Sequence, residues 1–111
     1  MTSTFSLTRP DGSPLILHHL GGSGGEPLFI SHATGFHGRC YLEMAAHLSS
    51  RWSVWAADYS GHGETLSADD SVTTWECFGE DALTVARHLA PHGGLRAFGH
   101  SMGGAAVLLA H

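Results

Sequence analysis

Phe98-Gly99-His100-Ser101-Met102-Gly103-Gly104 joins two apolar runs: a short strand-like one from Leu95 to Phe98, and Ala105 to Ala110, which is apolar all round in the manner of a buried helix. The stretch contains G-x-S-x-G where that pattern has meaning, directly after a strand and directly before a helix. A serine on so sharp a strand-to-helix turn has a strained backbone, and the residues two before and two after it must lack a Cβ to clear the neighbouring chain. Gly99 and Gly103 meet that requirement. The hydroxyl is then carried above the sheet at a helix N-terminus, whose free N–H groups and partial positive charge favour an oxyanion. Ser101 is therefore the candidate nucleophile. A Gly-Ser turn that merely opens a helix is the competing reading, and the presence of strand, turn and apolar helix together weighs against it.

Working outward, strands and helices alternate. Thr74 is a suitable N-cap for a helix running to about Leu89, with Trp75, Phe78, Ala82, Val85 and Leu89 on its buried face, and Pro91, His92, Gly93 and Gly94 stop it. Trp52 to Ala57 reads as a strand ending at Asp58 and a turn-rich Tyr59-Ser60-Gly61-His62-Gly63-Glu64. Tyr41 to Leu48 has helical spacing, with Tyr41, Met44, Ala45 and Leu48 on one side, and Leu28 to Ser31 is a strand of the buried type. Gly21-Gly22-Ser23-Gly24-Gly25 is a flexible connector, because a dinucleotide loop would need Gly or Ala where Pro27 stands. At the start, Phe5 to Thr8 and Leu15 to Leu17 flank a Pro10-Asp11-Gly12 turn and form a hairpin. The fold class is α/β: an antiparallel hairpin leading into a mostly parallel sheet with flanking helices. Ligands of such sheets sit beyond the carboxyl ends of the strands.

Composition removes several functions. The 111 residues carry 5 Lys+Arg against 10 Asp+Glu, a formal net charge of -5 at pH 7, with 42% hydrophobic residues. That is one domain, without a repeat or linker. All the basic residues are arginines, and they are scattered, so neither nucleic acid nor an anionic membrane is an expected partner. Without lysine there is no P-loop and no Schiff base. No leader-like or membrane-length apolar stretch is visible, and a cytoplasmic protein is expected. Cys40 and Cys77 read as reduced, small apolar groups buried on helix faces, and the three tryptophans as core. The 10 histidines raise the question of a metal at His18-His19, His32 with His37, or His88 with His92. None of these sets offers a third ligand, so surface histidines and no metal are expected.

Two further segments fall in register with Ser101: His32-Ala33-Thr34-Gly35-Phe36-His37-Gly38 after one strand, and Asp58-Tyr59-Ser60-Gly61-His62-Gly63-Glu64-Thr65 after the next. Together with Gly99-His100-Ser101-Met102-Gly103-Gly104 they resemble the α/β-hydrolase family, in the family's order of hairpin, oxyanion loop, D-x-x-G-H-G turn and nucleophile elbow. The resemblance implies Ser101 as nucleophile and the N–H of Met102 as one oxyanion donor. It implies a second donor from the first loop, Thr34, with Gly35 as the alternative register; Ala33 stands where the family usually has glycine. A serine at the elbow, rather than an aspartate, implies acyl chemistry on a small-molecule carboxylic ester or related compound, without a cofactor.

In that family the order is Ser, then Asp or Glu, then His. After Ser101 come only Met102 to His111, with no carboxylate, and His111 lies about nine positions along the helix, roughly 14 Å from its start. A domain of this kind commonly runs to about 200 to 250 residues. The expectation is that residues 1–111 are an incomplete domain, truncated after the elbow helix, lacking the triad histidine and acid and inactive alone. Its last strand would be an uncovered edge that invites self-association. A compensating triad from His32, or from His62 with Asp58, is the lesser alternative, because the resemblance gives those loops positioning roles. His100 should point away from the site. The competing function class is a non-catalytic module that keeps the elbow for structural reasons and binds a small apolar ligand or a partner chain.

Overall fold

The computed structural model describes residues 3–22, 24–33, 35–65 and 75–110. The Pro-Asp-Gly turn closes as expected: Gly12 donates its N–H to Arg9 O at 2.8 Å, and the Asp11 carboxylate accepts from the N–H of Ser13. Strand β1 (Ser3–Thr8) thereby lies antiparallel on β2 (Pro14–Gly21), pairing Phe5 with Leu17 and Leu7 with Leu15. β2 runs beyond Leu17 because Leu20 adds another inward apolar position. Strand β3 (Glu26–Ser31) follows the glycine connector and then crosses over through a 3-10 turn (Gly38–Tyr41) and helix α1 (Leu42–Leu48) to β4 (Trp52–Asp58). Helix α2 (Trp75–Leu89), β5 (Arg96–Gly99) and α3 (Met102–Ala110) complete the chain. The sheet order is β1-β2-β4-β3-β5, antiparallel through β2 and β4 and parallel from β4 through β3 to β5.

Strand alternation divides the core in two. Leu15, Leu17, Phe29, Ala57 and Tyr59 meet Phe78, Ala82 and Val85 of α2 and Met102 and Ala106 of α3 on one face. Leu20, Ile30, Val54 and Ala56 meet Tyr41 and Ala45 on the other. Each fully buried Leu, Phe or Val of these layers stabilises the fold by about 1.5–3 kcal/mol. Trp52 and Trp55 pack partly buried against the core; the expected N-cap Thr74 and the side chain of Trp75 lie outside the described residues. Among the described residues no helix is long and apolar enough to cross a membrane.

Several expectations need correction. Helix α3 is not buried all round: Leu108 is 78% and Leu109 55% exposed, because the helix packs on α2, β3 and β5 from one side only. Cys40 is exposed and Cys77 half-buried, since the 3-10 turn directs Tyr41 inward in place of Cys40. His18 and His32 are not surface residues; both are buried and hydrogen-bonded.

Candidate active site

Ser101 lies where the parallel strands end, exposed, with φ 56°, and among the described residues it is the one non-glycine with positive φ. The cause is steric. A Cβ on Gly99 would stand 2.5 Å from Gly104 Cα, and one on Gly103 would stand 2.0 Å from Ser31 O, so β5, α3 and β3 meet at backbone contact. Three N–H groups of the first α3 turn are already used: Gly103 donates to His100 O, and Gly104 and Ala105 donate to Ser101 O. Among the described residues Met102 N–H has no acceptor, which leaves a helix-terminal donor beside the Ser101 hydroxyl. Thr34, the other expected donor, lies outside the described residues. No described side chain hydrogen-bonds Ser101 Oγ.

Ser31 locks the elbow to β3, a role that nothing in its local sequence indicates. Its carbonyl accepts from His100 N–H at 3.0 Å, and its hydroxyl donates to Gly103 O at 2.7 Å. With that proton committed, Tyr59 Oη is the donor of the short bond to Ser31 Oγ. Tyr59 is fully buried, and burial holds its phenol well above the ordinary value and protonated.

His32 is fixed in one protonation state. Tyr59 N–H donates to its Nε2 at 3.0 Å, so the proton is on Nδ1 and goes to Ala33 O at 2.8 Å. Burial, against the opposing pull of the Ala33 carbonyl and with the neighbouring His62 adding to it, lowers its pKa to about 4. A ring with both nitrogens occupied cannot act as a general base. The unfolded chain binds more protons than the folded one between about pH 4 and pH 6.5, so this histidine's contribution is complete above the unfolded value and is lost as pH falls. A shift of that size corresponds to about 3 kcal/mol. Denaturation midpoints should accordingly fall between pH 7 and pH 4, while the His32 ring signal in NMR stays at its neutral position until pH nears 4; a His32 signal titrating near 6.5 would contradict the arrangement.

Asp58 organises the turn that follows β4. Its carboxylate accepts from Gly38 N–H at 2.7 Å, Glu64 N–H at 3.0 Å and His18 Nε2 at 2.9 Å, and a Cβ on Gly63 would lie 2.5 Å from its Cγ. Burial alone would raise its pKa, but the bonds from His18, Glu64 and Gly38 outweigh that and hold the carboxyl below the ordinary range. Asp58 thus serves His18, which also meets Thr4 Oγ1, and it does not form a dyad with His62. His62 donates from Nδ1 to Ser60 O and packs between His32 and Phe78. Ligand atoms of His18, Asp58 and Glu64 lie within 4.8 Å of one another, yet the first two already satisfy each other. A second buried network, Arg9 and Asp81 around Ser60, fixes the same turn from α2, with Ser60 N–H and Oγ both donating to Asp81.

The sheet order, the serine on a left-handed turn at a helix N-terminus and the two clamped loops beside it define the N-terminal part of an α/β-hydrolase fold. A family model described as Hydrolase_4, serine aminopeptidase, S33, matches residues 26–111, and the chain belongs to that family. Solved structures of similar fold include an N-acyl homoserine lactonase, AidH, in complex with N-hexanoyl homoserine, at 21% identity and TM-score 0.83, covering 98% of this chain and 40% of that one. They include an esterase from Exiguobacterium antarcticum, at 19% identity and TM-score 0.82, covering 96% and 38%. They also include the Cif epoxide hydrolase from Acinetobacter nosocomialis, at 20% identity and TM-score 0.80, covering 95% and 32%. The chain therefore spans two fifths or less of the length of these proteins. Comparison with curated protein sequences finds no match.

Proposed function

We propose that the protein acts as a serine hydrolase on a carboxylic ester or related acyl compound, through an acyl-enzyme at Ser101 and without a cofactor. The observation that carries this reading is the left-handed backbone of Ser101 at the start of α3, with the Met102 N–H unused beside it. In this reading Ser101 Oγ gives its proton to a histidine and attacks the acyl carbon, while the carbonyl electron pair moves to oxygen and is held by the N–H groups of Met102 and Thr34. Collapse expels the alcohol with the histidine's proton, and water then releases the carboxylic acid by the same steps. His32, locked neutral, and Asp58, bonded to His18, are not the base and acid of this reading. Serine, rather than aspartate, at the elbow is what points this reading to acyl chemistry. A fluorophosphonate probe should label the whole gene product on Ser101, and Ser101→Ala should abolish labelling. Labelling that survives the substitution would place the nucleophile elsewhere.

A further inference from the structure

Tyr41 ends the 3-10 turn, only 7% exposed, and its phenol oxygen touches two segments that come from opposite ends of the chain. Ala33 N–H donates to it at 3.1 Å, and His100 Nδ1 lies 3.0 Å away. An amide N–H can only donate, so the phenol oxygen accepts from Ala33 and its single proton is free for His100 Nδ1. That assignment puts the His100 proton on Nε2. Burial raises the Tyr41 phenol above its ordinary value, which keeps the bridging proton in place. The rings reinforce the link: His100 stands edge-on to Tyr41 and to Phe36, at centroid distances of 6.2 and 5.5 Å. His100 therefore turns toward the loop after β3 and packs there, although it is exposed at its other side.

Ala33 immediately precedes Thr34, and His100 immediately precedes Ser101. We infer that Tyr41 is a positioning residue that sets the spacing between the loop after β3 and the nucleophile elbow, and so where the Met102 N–H of that elbow is held. The inference rests on the reading of Ser101 given above. Without the hydroxyl, the Ala33 amide and His100 lose their common anchor while the aromatic packing remains. Small displacements of oxyanion donors weaken transition-state binding more than ground-state binding.

The test is Tyr41→Phe in the whole gene product, with p-nitrophenyl acetate as the reporter substrate and phenylboronic acid as a tetrahedral mimic. Complete loss of one oxyanion donor costs about 10²–10³ in kcat, and a misplaced one should cost a part of that, about 10-fold to 10²-fold. KM should stay within about two-fold, and phenylboronic acid affinity should fall in step with kcat. His100→Phe removes the same bond from the exposed side, and the double variant should lose no more than either single one. Should Tyr41→Phe fail to fold, His100→Phe carries the same kcat, KM and boronate comparison. A wild-type kcat in the folded variants, or losses that add in the double variant, would overturn the inference. Failure of the Ser101 reading is seen separately, as probe labelling that persists in Ser101→Ala.

Discussion

Gly103→Ala is expected to destabilise the chain by about 3–5 kcal/mol, a large part of the roughly 5–15 kcal/mol that holds a domain of this size together. The added methyl would stand 2.0 Å from Ser31 O and 2.6 Å from His32 O, and both of these are backbone atoms. Neither can swing aside. Ser31 is tied to Tyr59 and to Gly103 through its hydroxyl and to His100 through its carbonyl, so relief requires α3 to move off β3. That movement forfeits the bonds from Ser31 Oγ to Gly103 O and from His100 N–H to Ser31 O, at about 0.5–1.5 kcal/mol each, in addition to about 1–3 kcal/mol of overpacking. The control is one residue on. A Cβ at Gly104 would find its nearest neighbour, Gly99 O, at 3.9 Å, an ordinary contact. Gly104→Ala should therefore be neutral or stabilising, by up to about 1 kcal/mol from helix propensity. Urea denaturation of the two variants separates the cases, and equal stability of both would refute the backbone contact at Gly103.

That contrast shows what the linear pattern can and cannot carry. G-x-S-x-G announces the need for glycine at positions 99 and 103 because the pattern marks the turn itself; the clash that requires Gly99 is local, with Gly104, whereas the one that requires Gly103 comes from Ser31 at the end of β3 and His32 after it and is not visible along the chain. The hairpin, the alternation of β3 and β4 and the apolar face of α2 are legible because each is a local pattern. The partners of the site are not local. β4 lies between β2 and β3, and that insertion brings His18 of β2 to Asp58, 40 residues away. Read along the chain, His18 and His19 are a pair of histidines; on a strand they face opposite ways, His18 into a buried hydrogen bond with Asp58 and His19 onto Trp55. Ser31 likewise looks like the polar end of a strand until α3 is docked on it. Tyr41 reads as one more apolar position of a helix, with nothing nearby to say that its hydroxyl would reach Ala33 and His100. The signal that could have singled these groups out is their type, a hydroxyl or an imidazole among apolar core positions, because buried polar groups need partners.

The loops beside Ser101 are held by separate devices. Ser31 and Tyr59 fix the elbow, Tyr41 fixes the loop after β3, and Asp58 fixes the turn after β4 together with the start of the 3-10 segment. Oxyanion stabilisation depends on donors that are in place before the charge develops, so in the proposed reading these contacts would contribute through geometry. None of the three devices uses a charged group facing solvent at the elbow.

The Asp58 device should fail most completely when the carboxylate is removed. Asp58→Ala leaves the Gly38 and Glu64 N–H groups without their acceptor, and leaves His18, 1% exposed, facing an apolar gap at Nε2. Removing one member of a buried pair costs about 3–5 kcal/mol, because the remaining polar groups are stranded without water. At about 4–8 °C per kcal/mol for a domain of this size, the midpoint should fall by more than about 10 °C. Asp58→Asn keeps the shape and one carbonyl oxygen, so it should lose less, retaining an acceptor for one of the two N–H groups while its NH₂ crowds the other. The pH dependence distinguishes an ionic role from mere packing. Asp58 has a folded pKa below its ordinary value, so the stability it supplies is present above the unfolded pKa of about 3.8 and is lost as pH falls through the lower folded value. In wild type this loss adds to that of His32 at the acid end of the range. In Asp58→Asn the His32 step between about pH 6.5 and pH 4 should remain and the further step below it should disappear. Equal acid slopes in the two proteins below pH 4 would show that Asp58 is not held ionised by its three donors, and that the turn owes its shape to Gly63 and the Arg9–Ser60–Asp81 network instead.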